Sequence, residues 1–361
     1  MSTIRRYGAI FLVIAGTLVP AAPASGQAFQ PPVPAVDQFD WIQFTSGEWL
    51  KGELIALYDG SLEFESDQLD ELVIDWSDVR QVRTARLVQV GLLGEPPVTG
   101  RLVVEGDVVR ISGAEGRTFA RANVLTIVGG EPSWSSRWSG KVTFGANLRS
   151  GNTDQTEVNS LARALRRTVK SRVGLEYLAN YSLTNEVKAT DNRRLSGEIH
   201  WFVTDRLFVQ PIGAEYFSDS FQNIALRWNI GAGLGYQLID TPRVDWEASV
   251  GPAYEHTTFD SVAPGESDQE ATAAGFIATT YTNELTGDID FLFDYRLLIT
   301  KPEAGRFNQH LITSLTFDAI GFLDFDVTFV WDRLDRPRAA ADGVVPQKSD
   351  YRLTFGLGFD F

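Results

Sequence analysis

Cysteine is absent from the 361 residues, and methionine occurs once. Without cysteine there are no disulfides, thiolate metal sites, cysteine nucleophiles or lipids attached to an N-terminal cysteine. Basic charge is also short: 32 Lys plus Arg stand against 47 Asp plus Glu, a formal charge of −15 with the three His neutral. Nucleic acid is therefore excluded as a partner, because neutralising phosphates takes a basic face. Long apolar runs are missing too, since no segment carries the roughly 18 consecutive apolar residues of a membrane-spanning helix. What is abundant is aromatic side chains, 23 Phe, 10 Tyr and 9 Trp. They occur in a chain that is slightly polar on average.

Arg5 and Arg6 precede an apolar run from Ile10 to Val19, then Pro20, Ala21, Ala22 and Pro23. A charged start, a short apolar stretch and a small-residue tail predict a signal peptide over residues 1–28, cleaved after Gly26 or Ala28. Residues 29–36, with Pro31, Pro32 and Pro34, read as a stiff linker.

Residues 37–130 read as an all-β domain with a loose tandem repeat. The first copy runs from Gly47-Glu48-Trp49 through the Asp59-Gly60 turn to Asp75-Trp76-Ser77-Asp78-Val79. The second runs from Gly94-Glu95 through the Gly106-Asp107 turn to Arg121-Ala122-Asn123-Val124. Short alternating strands joined by Gly/Asp turns make hairpins and small barrels, and the segment resembles SH3-like or Sm-like barrels. Over residues 29–136, 17 acidic residues face 8 basic ones.

From Trp138 the alternation lengthens. Twelve strands are expected near 138–149, 156–167, 172–183, 194–203, 207–217, 224–238, 244–256, 270–282, 288–299, 306–318, 323–333 and 351–361. A period of two gives each strand one apolar and one polar face. Three features predict a transmembrane antiparallel β-barrel with its apolar face outward in lipid. The runs are long enough to cross a bilayer at a tilt, whereas strands of soluble sheets are usually about 5–6 residues. Odd-numbered connections such as Thr184–Arg193, Thr257–Gln269 and Leu334–Asp350 are long, and even-numbered ones such as Thr204–Arg206 and Asp240–Arg243 are short. That parity, with an even strand count, places short turns and both barrel ends in the periplasm.

Ring placement is the third feature. Trp138, Trp201, Tyr236, Trp246, Phe317, Phe325 and Phe361 fall at the periplasmic rim. Tyr181, Tyr216, Trp228, Tyr254, Phe307, Trp331 and Tyr351 fall at the outer rim. Two such girdles suit a membrane barrel, where an amphipathic ring gains most at the headgroup boundary.

Ser150-Gly151-Asn152-Thr153-Asp154, Phe202-Val203-Thr204-Asp205-Arg206-Leu207-Phe208 and Gly231-Ala232-Gly233-Leu234-Gly235-Tyr236-Gln237-Leu238-Ile239-Asp240 carry a family likeness. The chain resembles the YdiY-like, salt-induced outer-membrane proteins over residues 138–361. Leu357, Phe359 and Phe361 resemble the C-terminal insertion signal of such barrels. The resemblance implies an outer-membrane barrel of a Gram-negative-type envelope, with lipid and the barrel-assembly machinery as partners. It carries no catalytic residues.

The polar faces define the candidate lumen: Lys141, Arg149, Arg163, Arg167, Glu176, Arg194, Glu198, His200, Arg227, Asp245, Glu247, Asp288, Asp290, Asp294, Arg296, His310, Asp324, Asp326 and Asp332. Charged rings set ion preference in a pore, and mixed signs equally suit a salt-bridged, closed interior. The acidic group on strands nine and eleven favours cations if the lumen is open.

Catalysis finds little support. A serine nucleophile needs a histidine within hydrogen-bond reach, and outer-membrane phospholipases carry His and Ser two apart. Here Phe202, Thr258 and Ile312 follow His200, His256 and His310 at that spacing. Gly231, Gly233 and Gly235 lie mid-strand, where glycine relieves crowding rather than cradling phosphate. Asp260, Glu266, Asp268 and Glu270 lack calcium-loop spacing. Arg333, Arg336, Arg338 and Lys348 suit lipid phosphates, as in any outer loop. No cofactor or metal is expected. A pore or small-solute conduit is the first reading; a closed anchoring barrel whose periplasmic domain binds an envelope partner is the second. An outer-membrane hydrolase comes last.

Overall fold

A computed structural model describes residues 31, 34, 39–58, 60–66, 68–112, 116–129, 138–149, 154–241, 243–320 and 323–360. The signal-peptide segment, most of the Pro-rich linker and Phe361 lie outside the described residues.

Two copies of one five-stranded unit make up residues 40–129. The first holds β1 (Asp40–Phe44), β2 (Trp49–Tyr58), β3 (Ser61–Ser66), β4 (Asp70–Asp75) and β5 (Val79–Arg83). The second holds β6 (Val88–Leu92), β7 (Glu95–Glu105), β8 (Val108–Ser112), β9 (Arg117–Ala120) and β10 (Val124–Gly129). In each copy the first strand pairs with the second and fifth, the second with the third, and the third with the fourth. The copies are intertwined: β5 pairs with β7 and β10 with β2, closing a six-stranded ring β1-β5-β7-β6-β10-β2. Equivalent positions fill one core, as with Ile42 and Val90, Leu54 and Leu102, or Val82 and Ile127, all buried. Gly52 and Gly100 are also equivalent. A Cβ on either would strike the partner strand's carbonyl oxygen, at 2.1 Å from Glu65 and 2.4 Å from Ser112. The repeat preserves burial and close approach rather than residue identity, which is why the sequence match is loose.

The larger unit is a closed antiparallel barrel of twelve strands in chain order. They are β11 (Trp138–Arg149), β12 (Gln155–Arg167), β13 (Ser171–Thr184), β14 (Val187–Phe202), β15 (Leu207–Asp219) and β16 (Ile224–Asp240). Then follow β17 (Val244–Phe259), β18 (Gln269–Thr286), β19 (Ile289–Ile299), β20 (Phe307–Ile320), β21 (Leu323–Leu334) and β22 (Ser349–Asp360). Its outer face exposes Leu175, Ile230, Leu234, Val250, Ile277, Leu353 and Phe355 among many other large apolar residues. A continuous apolar exterior around a polar interior is the solvent logic of a bilayer-spanning barrel, where closure also leaves no sheet edge unpaired.

Three details depart from the alternation-based expectation. β14 starts at Val187, so Thr184–Arg193 is mostly strand, turned by Asn185 and Glu186 at φ 49° and 65°. Asp288 precedes β19 and lies exposed in the β18–β19 turn rather than on an inner wall. A register shift between Gln210 and Gly213 breaks the alternation of β15.

Two junctions are distinctive. The ring closes between β11 and β22 through four residue pairs, from Lys141–Asp360 to Phe144–Leu357. Lys141 then reaches over β22 to Asp324 and Asp326 on β21, and Thr143 donates to Asp326 at 2.6 Å. Gly358 leaves the room, since a Cβ there would lie 2.5 Å from both Lys141 Cε and Asp326 Oδ2. The second junction joins the two barrels. Ala56, Tyr58 and Val128 pack on Val169 in the β12–β13 turn, and Thr126 Oγ1 donates to the Val169 carbonyl at 2.8 Å. The Arg167 guanidinium lies 5.5 Å from the Tyr58 ring centre.

Candidate functional site

Strand alternation aims one polar row per strand into the barrel, and these rows meet across it. Arg194 on β14 donates at 2.6 Å both to Glu215 on neighbouring β15 and to Asp332 on β21. β14 and β21 stand on far sides of the ring. His310 Nδ1 lies 2.8 Å from the same Asp332 carboxylate. Arg296 on β19 faces Glu176 on β13, six strands away, at 3.6 Å. It also bonds Ser196 at 2.8 Å and pairs with Asp294 at 3.2 Å. Arg163 answers the other side of Glu176 at 2.9 Å. Between these bridges Leu178, Ile312 and Val330 form a small buried cluster with Leu161 and Leu292. Side chains therefore span the lumen at these two levels.

Near the short-turn end, Arg172 bonds both Glu247 and, at 2.7 Å, His200 Nδ1. Glu198, His200 and Glu247 offer ligand atoms within 4.8 Å of one another, a spacing that suits a metal ion. The donor set argues otherwise. Arginine only donates, so His200 Nδ1 accepts and the ring proton sits on Nε2, leaving no lone pair there for a metal. Nε2 points instead to Glu198 at 3.4 Å. The cluster is an ion-pair knot.

The structure places most expected lumen residues on the inner wall. Lys141, Arg163, Glu176, Arg194, Arg227, Glu247, Asp294, Arg296, Asp324, Asp326 and Asp332 all make ion pairs there, and Glu198 faces the His200 ring. Asp245 lines the central cavity, and Asp290 is exposed near the β18–β19 turn. Arg167 serves the junction with the small barrel, Asp288 belongs to a turn, and the Arg149 side chain lies outside the described residues. Residues absent from the expectation include Arg172, Glu215, Glu255 and Arg352. Glu215 faces inward beyond the β15 register shift, so alternation counted from Phe208 and Gln210 does not reach it.

Gly231, Gly233 and Gly235 have a steric role. A Cβ at Gly233 would lie 2.7 Å from the Phe276 ring, and one at Gly235 would lie 2.0 Å from the Phe208 ring. Both rings lie against a wall lowered to backbone height. What remains of the lumen beside them is a cavity of about 380 Å³.

The expected rim aromatics, Phe361 aside, are partly or largely exposed on the outer face. They form ring chains: Trp228 with Tyr254 at 5.7 Å and Trp331 stacked on Tyr351 at 6.5 Å toward the long-loop end, Trp246 with Tyr281 at 6.3 Å and Phe317 with Phe325 at 6.2 Å toward the other. Leu357 and Phe359 are exposed outward on β22. At the long-loop end Asn223 clasps two loops, accepting from Ser261 N at 2.9 Å and donating to Ala339 O at 3.3 Å. Arg338 pairs there with Glu266 at 2.9 Å and Glu270 at 4.0 Å, while Asp335 sits 3.8 Å from Arg333 and 4.0 Å from Lys348.

Among solved structures the chain is similar to the NanC porin, with 10% identity and a TM-score of 0.37, covering 62% of this chain and all of that one. It is similar to an outer membrane channel from Pseudomonas putida F1, with 10% identity and a TM-score of 0.35, covering 64% and 100%. It is also similar to the outer membrane channel DcaP of Acinetobacter baumannii, with 12% identity and a TM-score of 0.28, covering 90% and 94%. No curated protein matches. Residues 142–361 match the family model described as "Protein of unknown function, DUF481", and the chain belongs to that family.

Proposed function

We propose that the protein is a closed outer-membrane barrel that anchors an acidic small β-barrel domain, built from two repeats, on the periplasmic side, where that domain docks an envelope partner. The observation that carries this reading is Arg194 holding Glu215 and Asp332 together across the lumen. Arg194 is buried, at 4% exposure, so salt screens this bridge far less than a surface pair. The domain's placement is supported by its seat on the β12–β13 turn, one of the short connections. Its charge is denser than the barrel's, which suits a partner-facing surface.

Full-length protein in a planar bilayer tests the reading. Wild type is expected to show no steady conductance across a range of voltages and salts. Arg194→Met combined with Arg296→Met is expected to produce conducting events. A stable ohmic channel in the wild type would refute the closed barrel and restore the conduit.

A further inference from the structure

The cavity left inside the barrel has a wall rich in polar atoms that lack a hydrogen-bond partner. Four ion pairs face it, Arg163 with Glu176, Arg172 with Glu247, Arg194 with Glu215, and Arg296 with Asp294, and Arg167, Glu198, Asp245 and His310 line it too. The partnerless atoms mix donors and acceptors, Arg163 Nη2, Arg167 Nε and Asp294 Oδ1 among them. Gln210 Oε1 and Asn229 Oδ1 are neutral acceptors without donors. Gln210 is 5% exposed, so bulk water does not answer it. Buried polar atoms left unmet around one space call for an occupant. Phe276 adds an apolar surface. Its ring packs close over Gly231 and Gly233, and the partly exposed residue lines the cavity.

We propose that the cavity binds an uncharged, polyhydroxylated solute of mono- to disaccharide size. Hydroxyls donate and accept at once, so neighbouring hydroxyls of a single molecule meet both the Gln210 and Asn229 oxygens and the unmet donors beside them. The apolar C–H face of a sugar ring matches the lumen side of Phe276. A free carboxylate or ammonium pays its own desolvation on entering. A cavity of about 380 Å³ falls within the range of small-ligand sites, roughly 300–1,000 Å³. The site does not require a through-pore.

The test is titration calorimetry on the full-length protein in detergent, with glycerol, glucose, maltose and sucrose as probes and glycine betaine as the charged comparison. Saturable binding of at least one neutral probe is expected at one site per chain, with no heat from betaine. Gln210→Leu and Phe276→Leu, each checked for heat-modifiable migration so that misfolding is recognised, are expected to weaken binding about tenfold. The proposal is overturned if no neutral probe binds folded wild type, which would leave a water-filled space only. It is overturned equally if betaine binds instead, or if both folded variants bind like wild type. Conductance plays no part in these readouts, so they stand apart from the bilayer experiment.

Discussion

Asp40 is 3% exposed, yet its carboxylate takes two backbone donors, Leu54 N at 2.8 Å and Ala85 N at 2.6 Å. It ties β1 to β2 and to the link between the two copies. Asp40→Ala strands both donors and is expected to destabilise the small barrel by about 3 kcal/mol, read from urea unfolding followed by tryptophan fluorescence. Burial is the largest influence on this carboxyl and raises its pKa, against the pull of those two N–H groups. A raised folded-state pKa means this group's contribution is complete below the ordinary aspartate range and is lost as pH rises through the folded value. Asp40→Asn is expected to flatten that part of the pH profile, and an unchanged profile would contradict the assignment. Gly358→Val, in turn, pushes against Lys141 and Asp326 and should lower the temperature of heat-modifiable migration. At this scale the sequence was informative about which residues face inward and silent about whom they meet. Arg194 and Asp332 are 138 positions apart on non-adjacent strands, and no local pattern pairs them.

Strands were the most legible elements, because a bilayer demands strict alternation along their length. Where alternation is interrupted, legibility fails for a physical reason. The shift between Gln210 and Gly213 flips one wall of β15, and β14 extends as a hairpin to Val187 through polar residues that looked like loop. The weakly patterned second strand, with Ser160, Ala162 and Ala164 outward, is nonetheless a full partner of both neighbours. The seat of the small barrel was invisible beforehand, since it rests on Val169 in a three-residue turn. Val169 is 7% exposed against Ala56, Tyr58 and Val128. Val169→Asp buries a charge there and is expected to lower the small barrel's calorimetric midpoint by at least about 4 °C, leaving the large barrel's midpoint in place.

For the whole molecule, the absence of native cysteine makes orientation measurable with single introduced thiols. Ser46→Cys in the small barrel should react with a membrane-impermeant maleimide only after the outer membrane is permeabilised, whereas Ser267→Cys in the β17–β18 loop should react in intact cells. The reverse pattern would invert the proposed topology. The Lys141 bridge has a further consequence for assembly. Asp324 and Asp326 are 3% exposed on the eleventh strand, and their cation comes from the first. Before the first strand meets the twelfth, the Lys141 ammonium is apart from both carboxylates, so the step that joins the two ends of the sheet also brings these charges together.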